Sequence, residues 1–298
     1  MTTDVSRPRI GFMFDRDRRP EELAGFAATV EELGADDLWV VEDLGWTGAI
    51  SAATVALAAT RTLRVGIGIA PVALRNPALL AMELATVARI YPERLVAGLG
   101  HGVTDWMRQV GAAPKSPLSR LEESIVATRA LLAGETVTMH GREVTIDGVT
   151  LVHPPAVVPP IVTGVVRPKS LELSGRVADG TIIAEGNGPA ELADALTHIE
   201  HGRAAGDRPA HELIVFVYLH VGDDPARAAA ETGEMVAGQA AWLGKPAEDL
   251  FTLIGPAAGL PAKVAALHAA GATTVVLRPL GANPGAQART ALEALRNA

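Results

Sequence analysis

The chain of 298 residues contains no cysteine. That excludes a disulfide framework, a thiolate metal site and a cysteine nucleophile. Aromatic residues make up only 4%, so an aromatic substrate would meet few stacking partners. Basic charge is also short: 26 Lys and Arg stand against 34 Asp and Glu, for a net charge of -8. Phosphate neutralisation needs clustered Lys and Arg, so no nucleic-acid partner is expected. No stretch approaches the ~20 uninterrupted apolar residues of a membrane span. Met1 to Arg9 carries Asp4 and lacks the apolar run of a secretory leader. A cytoplasmic protein without a membrane partner is the expectation. The chain has no H-E-x-x-H, no Walker motif and no G-x-S-x-G elbow. Its histidines are scattered, and the one close pair, His198 and His201, falls on a predicted surface helix. No metal is expected, and an organic cofactor is left to carry any redox chemistry.

What is present is a folding composition, 48% hydrophobic with 20% charged residues. Length alone allows one domain or two. Alternation decides between them. Short β-branched runs at 10–14, 38–41, 65–69, 94–99, 161–163, 181–183, 213–221 and 274–277 alternate with amphipathic stretches. The stretches carry helix punctuation. Pro20 precedes Glu21 and Glu22, Gly34 follows Leu33, and Asn76-Pro77 reads as a cap with a first-turn proline. Eight such units without a break in composition predict a single (β/α)8 barrel over 1–298, favoured over an open doubly wound sheet. Two segments exceed the repeat. Asp147-Gly148 between β-formers predicts a hairpin excursion within 134–155. Residues 224–260 hold two short helical patterns, a predicted insertion after strand seven that caps the barrel mouth.

Chemistry in such a barrel sits at the C-terminal strand ends. Those ends carry Asp15-Arg16, Glu42-Asp43 with Trp46, Ala70-Pro71-Val72 with Arg75, Gly100-His101-Gly102, Gly164-Val165-Val166 with Arg167 and Lys169, Glu185 and Arg278. Glycines 98, 100 and 102 either admit a flat ligand or relieve crowding at the rim. His101 among them is suited to proton transfer, or bonds a neighbouring loop. Gly164 and the helix start near Pro168 suit an anion, with Lys169 beside it. Of Glu42 and Asp43, only one can face the barrel axis. Trp46 reads as a wall for a planar ring or as packing.

These residues, taken with their order, resemble the luciferase-like monooxygenase superfamily. The likeness is carried by Glu32–Asp43, Arg75-Asn76-Pro77 with Leu80-Ala81, Arg94–Gly100 with Trp106, Gly134-Glu135, Pro160–Val162, Pro168–Leu173 and Ala178–Gly180. The chain looks most like the branch that uses the deazaflavin coenzyme F-420, the methylenetetrahydromethanopterin reductase-like proteins. The resemblance implies hydride transfer between coenzyme F-420 and a small organic substrate. A flavin mononucleotide monooxygenase and a non-catalytic cofactor-binding protein are the alternatives. It also implies a homodimer. By resemblance, a bulge after strand three, often with a cis peptide, backs the ring and maps onto Ala70, Pro71 and Val72. Gly164, Val165 and Val166 with Lys169 would hold the phosphate, Gly100, His101 and Gly102 the ring, and Asp43 the acidic position. His101, Asp43, Glu42 and Trp46 are the expected catalytic set. Leu44 stands where some relatives carry a histidine, and His101 where some carry a glutamate.

Overall fold

The computed structural model describes residues 7–206 and 210–297. The segment Met1–Ser6, part of the stretch read for a leader, lies outside them. Strands β1 (Arg9–Met13), β2 (Asp37–Val40), β3 (Arg64–Ile67) and β4 (Leu95–Gly100) are followed by β5 (Ile161–Gly164), β6 (Gly180–Ile183), β7 (Glu212–Val221) and β8 (Thr274–Pro279). Each pairs in parallel with the next, and β8 pairs with β1, so the sheet closes into an eight-stranded barrel. The helices between them are α1 (Leu23–Glu32), α2 (Ala49–Ala58), α3 (Pro77–Ile90), α4 (Thr104–Gln109), α5 (Pro117–Leu132), α6 (Pro168–Val177) and α7 (Pro189–Ala204). After β7 come α8 (Pro225–Leu243) and α9 (Leu260–Ala269), and α10 (Pro284–Arg296) ends the fold. Six of these helices begin on proline, whose fixed φ and missing donor suit the first turn. Asn76 caps α3 through the Ala78 N–H at 2.9 Å. Among the described residues no helix is long and apolar enough to cross a membrane.

Side-chain alternation divides the strands between two cores. Leu38, Val65, Leu95, Ile161, Val215 and Val275 face the helices. Met13, Trp39, Val96, Val162, Ile182, Ile214, Phe216 and Val276 fill the barrel itself. Trp39 and Phe216 meet edge to face there, with ring centroids 5.5 Å apart. Two rings fit because the opposing positions are bare: a Cβ on Gly66 would lie 2.5 Å from the indole, and one on Gly68 2.6 Å from the Phe216 ring. Below this layer, buried Asp37 accepts hydrogen bonds from Arg9 and Arg64, and Arg64 also bonds Glu212 at 2.6 Å. This ionic cluster lies at the N-terminal end of the strands, opposite the mouth.

The hairpin excursion is present, with Val137–His140 paired antiparallel to Thr145–Val149 and Gly148 at φ 60°. The insertion differs from its expected form. In place of two short helices, α8 runs 19 residues from an Asp224 cap that accepts from Ala226 and Arg227 to Gly244 at φ 65°. The insertion packs against the mouth as expected, for Gln239 donates to the Glu185 carbonyl at 2.7 Å and Phe251 to the Gly186 carbonyl. His198 and His201 both turn to Glu172.

A buried hydroxyl chain joins α6 to the sheet. Thr163 donates to Ser174, Ser174 shares a hydrogen bond with Thr181, and Thr181 bonds His211 Nε2 at 2.8 Å. Burial, with Arg203 nearby, depresses the His211 pKa to about 4. The unfolded chain therefore binds a proton at higher pH than the native one. Native stability should fall as pH drops from about 6.5 toward 4, and urea unfolding of His211→Gln should show a shallower slope across that window. An unchanged slope would contradict the assignment.

Candidate active site

The C-terminal strand ends converge on one mouth, whose walls are built from four groups of side chains. The first is the β3 exit. Ala70 and Pro71 rejoin the ladder opposite Leu99 and Gly100, so the chain leaves it at Gly68 and Ile69, whose peptide is cis. The bulge therefore sits two residues before the expected Ala70-Pro71-Val72. It forms where Gly68 must let Phe216 through, and Ala70 and Val72 instead pack into the outer core. Ile69 becomes the rim residue. A Cβ on Gly100 would lie 2.9 Å from it, and one on Gly164 2.7 Å. Gly102, at φ 70°, leaves space for Pro71. These glycines seat Ile69 and Pro71 and give a flat platform spanning β4 and β5.

The second group is the β5 exit. Val165 is buried, while Val166, Arg167 and Lys169 are exposed. Helix α6 begins after Arg167 with Pro168 in its first turn and no side-chain cap. Pro168 has no N–H, and Ser170 and Leu171 donate to the Arg167 carbonyl, so the Lys169 N–H and the helix dipole are what this first turn offers an anion. His101 faces this helix, its Nε2 3.2 Å from Ser170 Oγ, and its Nδ1 is buried without a hydrogen bond. Burial lowers the His101 pKa, only partly offset by the Pro117 backbone. Burial therefore favours the neutral ring.

The third group joins β1 and β2. Asp43 lies in the loop that follows β2. It accepts from Arg16 at 2.5 Å. The Arg16 guanidinium stacks 4.5 Å from the Trp46 ring centre. Trp46 donates to Asp17 at 2.9 Å and lies 6.1 Å from Trp106. Glu42 is buried away from this group. It accepts from the Ala49 N–H at 2.9 Å, capping α2, and takes both Arg75 terminal nitrogens. The four expected catalytic residues thus fall in three places. Asp43 and Trp46 stand together, His101 stands beside α6, and Glu42 holds the α2 and α3 ends.

The fourth group was visible only as strand ends. Arg278 donates to Asp15 at 2.7 Å and to Glu185 at 2.9 Å. It is largely buried, and its guanidinium lies 5.4 Å from the Tyr218 ring centre. Burial opposes its charge, but Glu185 and Asp15 raise its pKa. Alternation from Phe216 could have placed Tyr218 here, since it lies two residues on along the same face.

The profile of the Luciferase-like monooxygenase family matches residues 5–274. A 5,10-methylenetetrahydromethanopterin reductase of Methanolobus tindarius is 30% identical over 215 residues, 72% of this chain and 65% of that protein. An F420-dependent glucose-6-phosphate dehydrogenase of Nakamurella multipartita is 31% identical over 229 residues, 70% of this chain and 65% of that protein. The match thus spans 65% of the length of each relative. In fold, the chain is similar to an F420-dependent secondary alcohol dehydrogenase in complex with an F420-acetone adduct. The TM-score is 0.86 at 20% identity, with 97% of this chain and 99% of that one covered.

Glu42 is engaged by the Ala49 N–H and by Arg75, not by Arg16 or Trp46. Glu42→Ala should cost about 2 kcal/mol of stability, through the lost helix cap and a broken, mostly buried ion pair. Equilibrium unfolding in urea measures the loss, and affinity for an added cofactor should be unchanged. A variant of native stability that no longer binds cofactor would place Glu42 back in the site.

Proposed function

The chain belongs to the luciferase-like monooxygenase family, and on that premise we propose that it is an oxidoreductase using the deazaflavin coenzyme F-420 on a small organic substrate. The observation that carries this reading is the juxtaposition of a flat platform with an anion-ready helix start. Ile69, seated on bare Gly100 and Gly164, offers a planar backing for a ring. The N-terminus of α6, with no side-chain cap and with exposed Arg167 and Lys169, lies directly after Gly164 and suits a phosphate. The two related sequences named above, each at about 30% identity, support the deazaflavin over a flavin.

Bound there, the coenzyme would supply the hydride chemistry. The protein's part is position and charge. Backbone N–H groups of Val165 and Val166 and the first turn of α6 would hold phosphate, with Lys169 adding a cation. His101, with its neutral form favoured and Nδ1 unbonded, is the proposed proton carrier beside the platform. Asp43 fixes Arg16 and through it the Trp46 wall. Helix α8 covers the mouth and limits water.

Fluorescence titration with coenzyme F-420 and with flavin mononucleotide tests the reading. Tighter binding of the deazaflavin is expected, weakened about fivefold in Lys169→Ala by loss of a partly exposed phosphate contact. Tight flavin binding with no deazaflavin binding would overturn it.

A homodimer is part of the same proposal. Leu79, Met82 and Ile90 share one face of α3 and are 58%, 54% and 60% exposed, an apolar stripe suited to a second copy. Light scattering should give twice the chain mass, and Leu79→Glu with Met82→Glu should give one. A monomeric wild-type protein removes this part.

A further inference from the structure

Within the mouth, one buried aromatic residue carries a hydroxyl with no hydrogen bond to the protein. Tyr218 stands two residues beyond Phe216 on the inner face of β7, opposite Arg278 in the β7–β8 register. It is 1% exposed. Its ring packs against the Arg278 guanidinium. Among the described residues its hydroxyl makes no hydrogen bond, and its oxygen is not one of the fully enclosed unbonded atoms, so it keeps access to the mouth.

The charges beside it restrict that ligand. Arg278 is paired with Asp15 and Glu185, and Arg16 with Asp43. Three carboxylates thus face two guanidiniums on this side of the mouth, and each guanidinium is already paired. Exposed Arg167 and Lys169 lie on the other side, at α6. An anionic substrate group would meet repulsion here and no available cation. A neutral oxygen would meet a hydroxyl donor. Burial and Glu185 raise the Tyr218 pKa, so the phenol stays protonated and donates.

We infer that Tyr218 is the substrate-binding residue of this site and that the substrate is an uncharged carbonyl or hydroxyl compound whose oxygen accepts its hydrogen bond. This inference rests on the oxidoreductase reading above and names its substrate class. It excludes phosphorylated and carboxylated substrates from the same position.

The chain has only two tyrosines, Tyr91 and Tyr218, which makes the test direct. Protein labelled with carbon-13 at tyrosine Cζ gives two signals, assigned by Tyr91→Phe. Cyclohexanone should move the Tyr218 signal and leave that of Tyr91, whereas cyclohexyl phosphate at equal concentration should move neither. With reduced coenzyme F-420, Tyr218→Phe should lower kcat/KM for cyclohexanone about tenfold, the worth of one hydrogen bond. Its deazaflavin affinity and thermal midpoint should match wild type. An unmoved Tyr218 signal, an equal shift with the phosphate ester, or unchanged kcat/KM in Tyr218→Phe would overturn the inference. Absence of deazaflavin binding by wild type would overturn the cofactor reading instead, and the cyclohexanone shift would still support Tyr218 as the oxygen anchor.

Discussion

The contact between Trp39 and Phe216 sets the terms for the rest of the molecule. An eight-stranded barrel leaves just enough interior for side chains, and here two aromatic rings occupy its centre. They can do so only where facing strands give way. Gly66 and Gly68 on β3 are the positions that give way. The consequence runs upward. Because Gly68 yields to Phe216, the strand departs from its ladder there, and Ile69 is delivered to the rim. Ile69 in turn requires bare backbone on β4 and β5, supplied by Gly100 and Gly164. The platform at the mouth is thus an outcome of packing one layer below it.

Electrostatics distinguish the two ends of the barrel. At the N-terminal end, Asp37 is fully buried and takes both Arg9 and Arg64, and Arg64 is shared with Glu212. Every charged group there is engaged by another, which suits a seal. At the C-terminal end the pairs are matched less completely. His101 Nδ1 has no partner, Arg16 Nε is buried and unbonded, and the first turn of α6 lacks a side-chain cap. Some unmet hydrogen-bonding capacity therefore lies at the end where a barrel of this kind performs its chemistry.

What was legible in the sequence was local. The strand runs, the first-turn prolines, the Asn76 cap and the Asp147-Gly148 turn are each specified within a few residues, and the structure carries them within about two positions. The closed barrel followed from counting units. What was not legible depends on partners far along the chain. Proline made 70–72 the natural place for a cis bond, but the bulge is positioned by Phe216 on β7. Alternation showed that Glu42 and Asp43 must part without saying which faces in. The role of Glu42 is set by Arg75 and the start of α2. Tyr218 and Arg278 belong to no motif, and their meeting is a matter of register between β7 and β8.

Glu185 has two attachments of different kinds. Its carboxylate holds Arg278 in the mouth, and its backbone carbonyl receives Gln239 from α8. The next residue, Gly186, accepts from Phe251 farther along the insertion. The covering helix and the charged floor are therefore moored to the same short stretch of chain. A movement of α8 away from the barrel pulls on the residue that neutralises Arg278, and a ligand that displaces Glu185 from Arg278 works against the mooring of the helix. Thermodynamic reciprocity makes these one equilibrium seen from two sides. Glu185 thus ties the insertion to the charge inside the mouth.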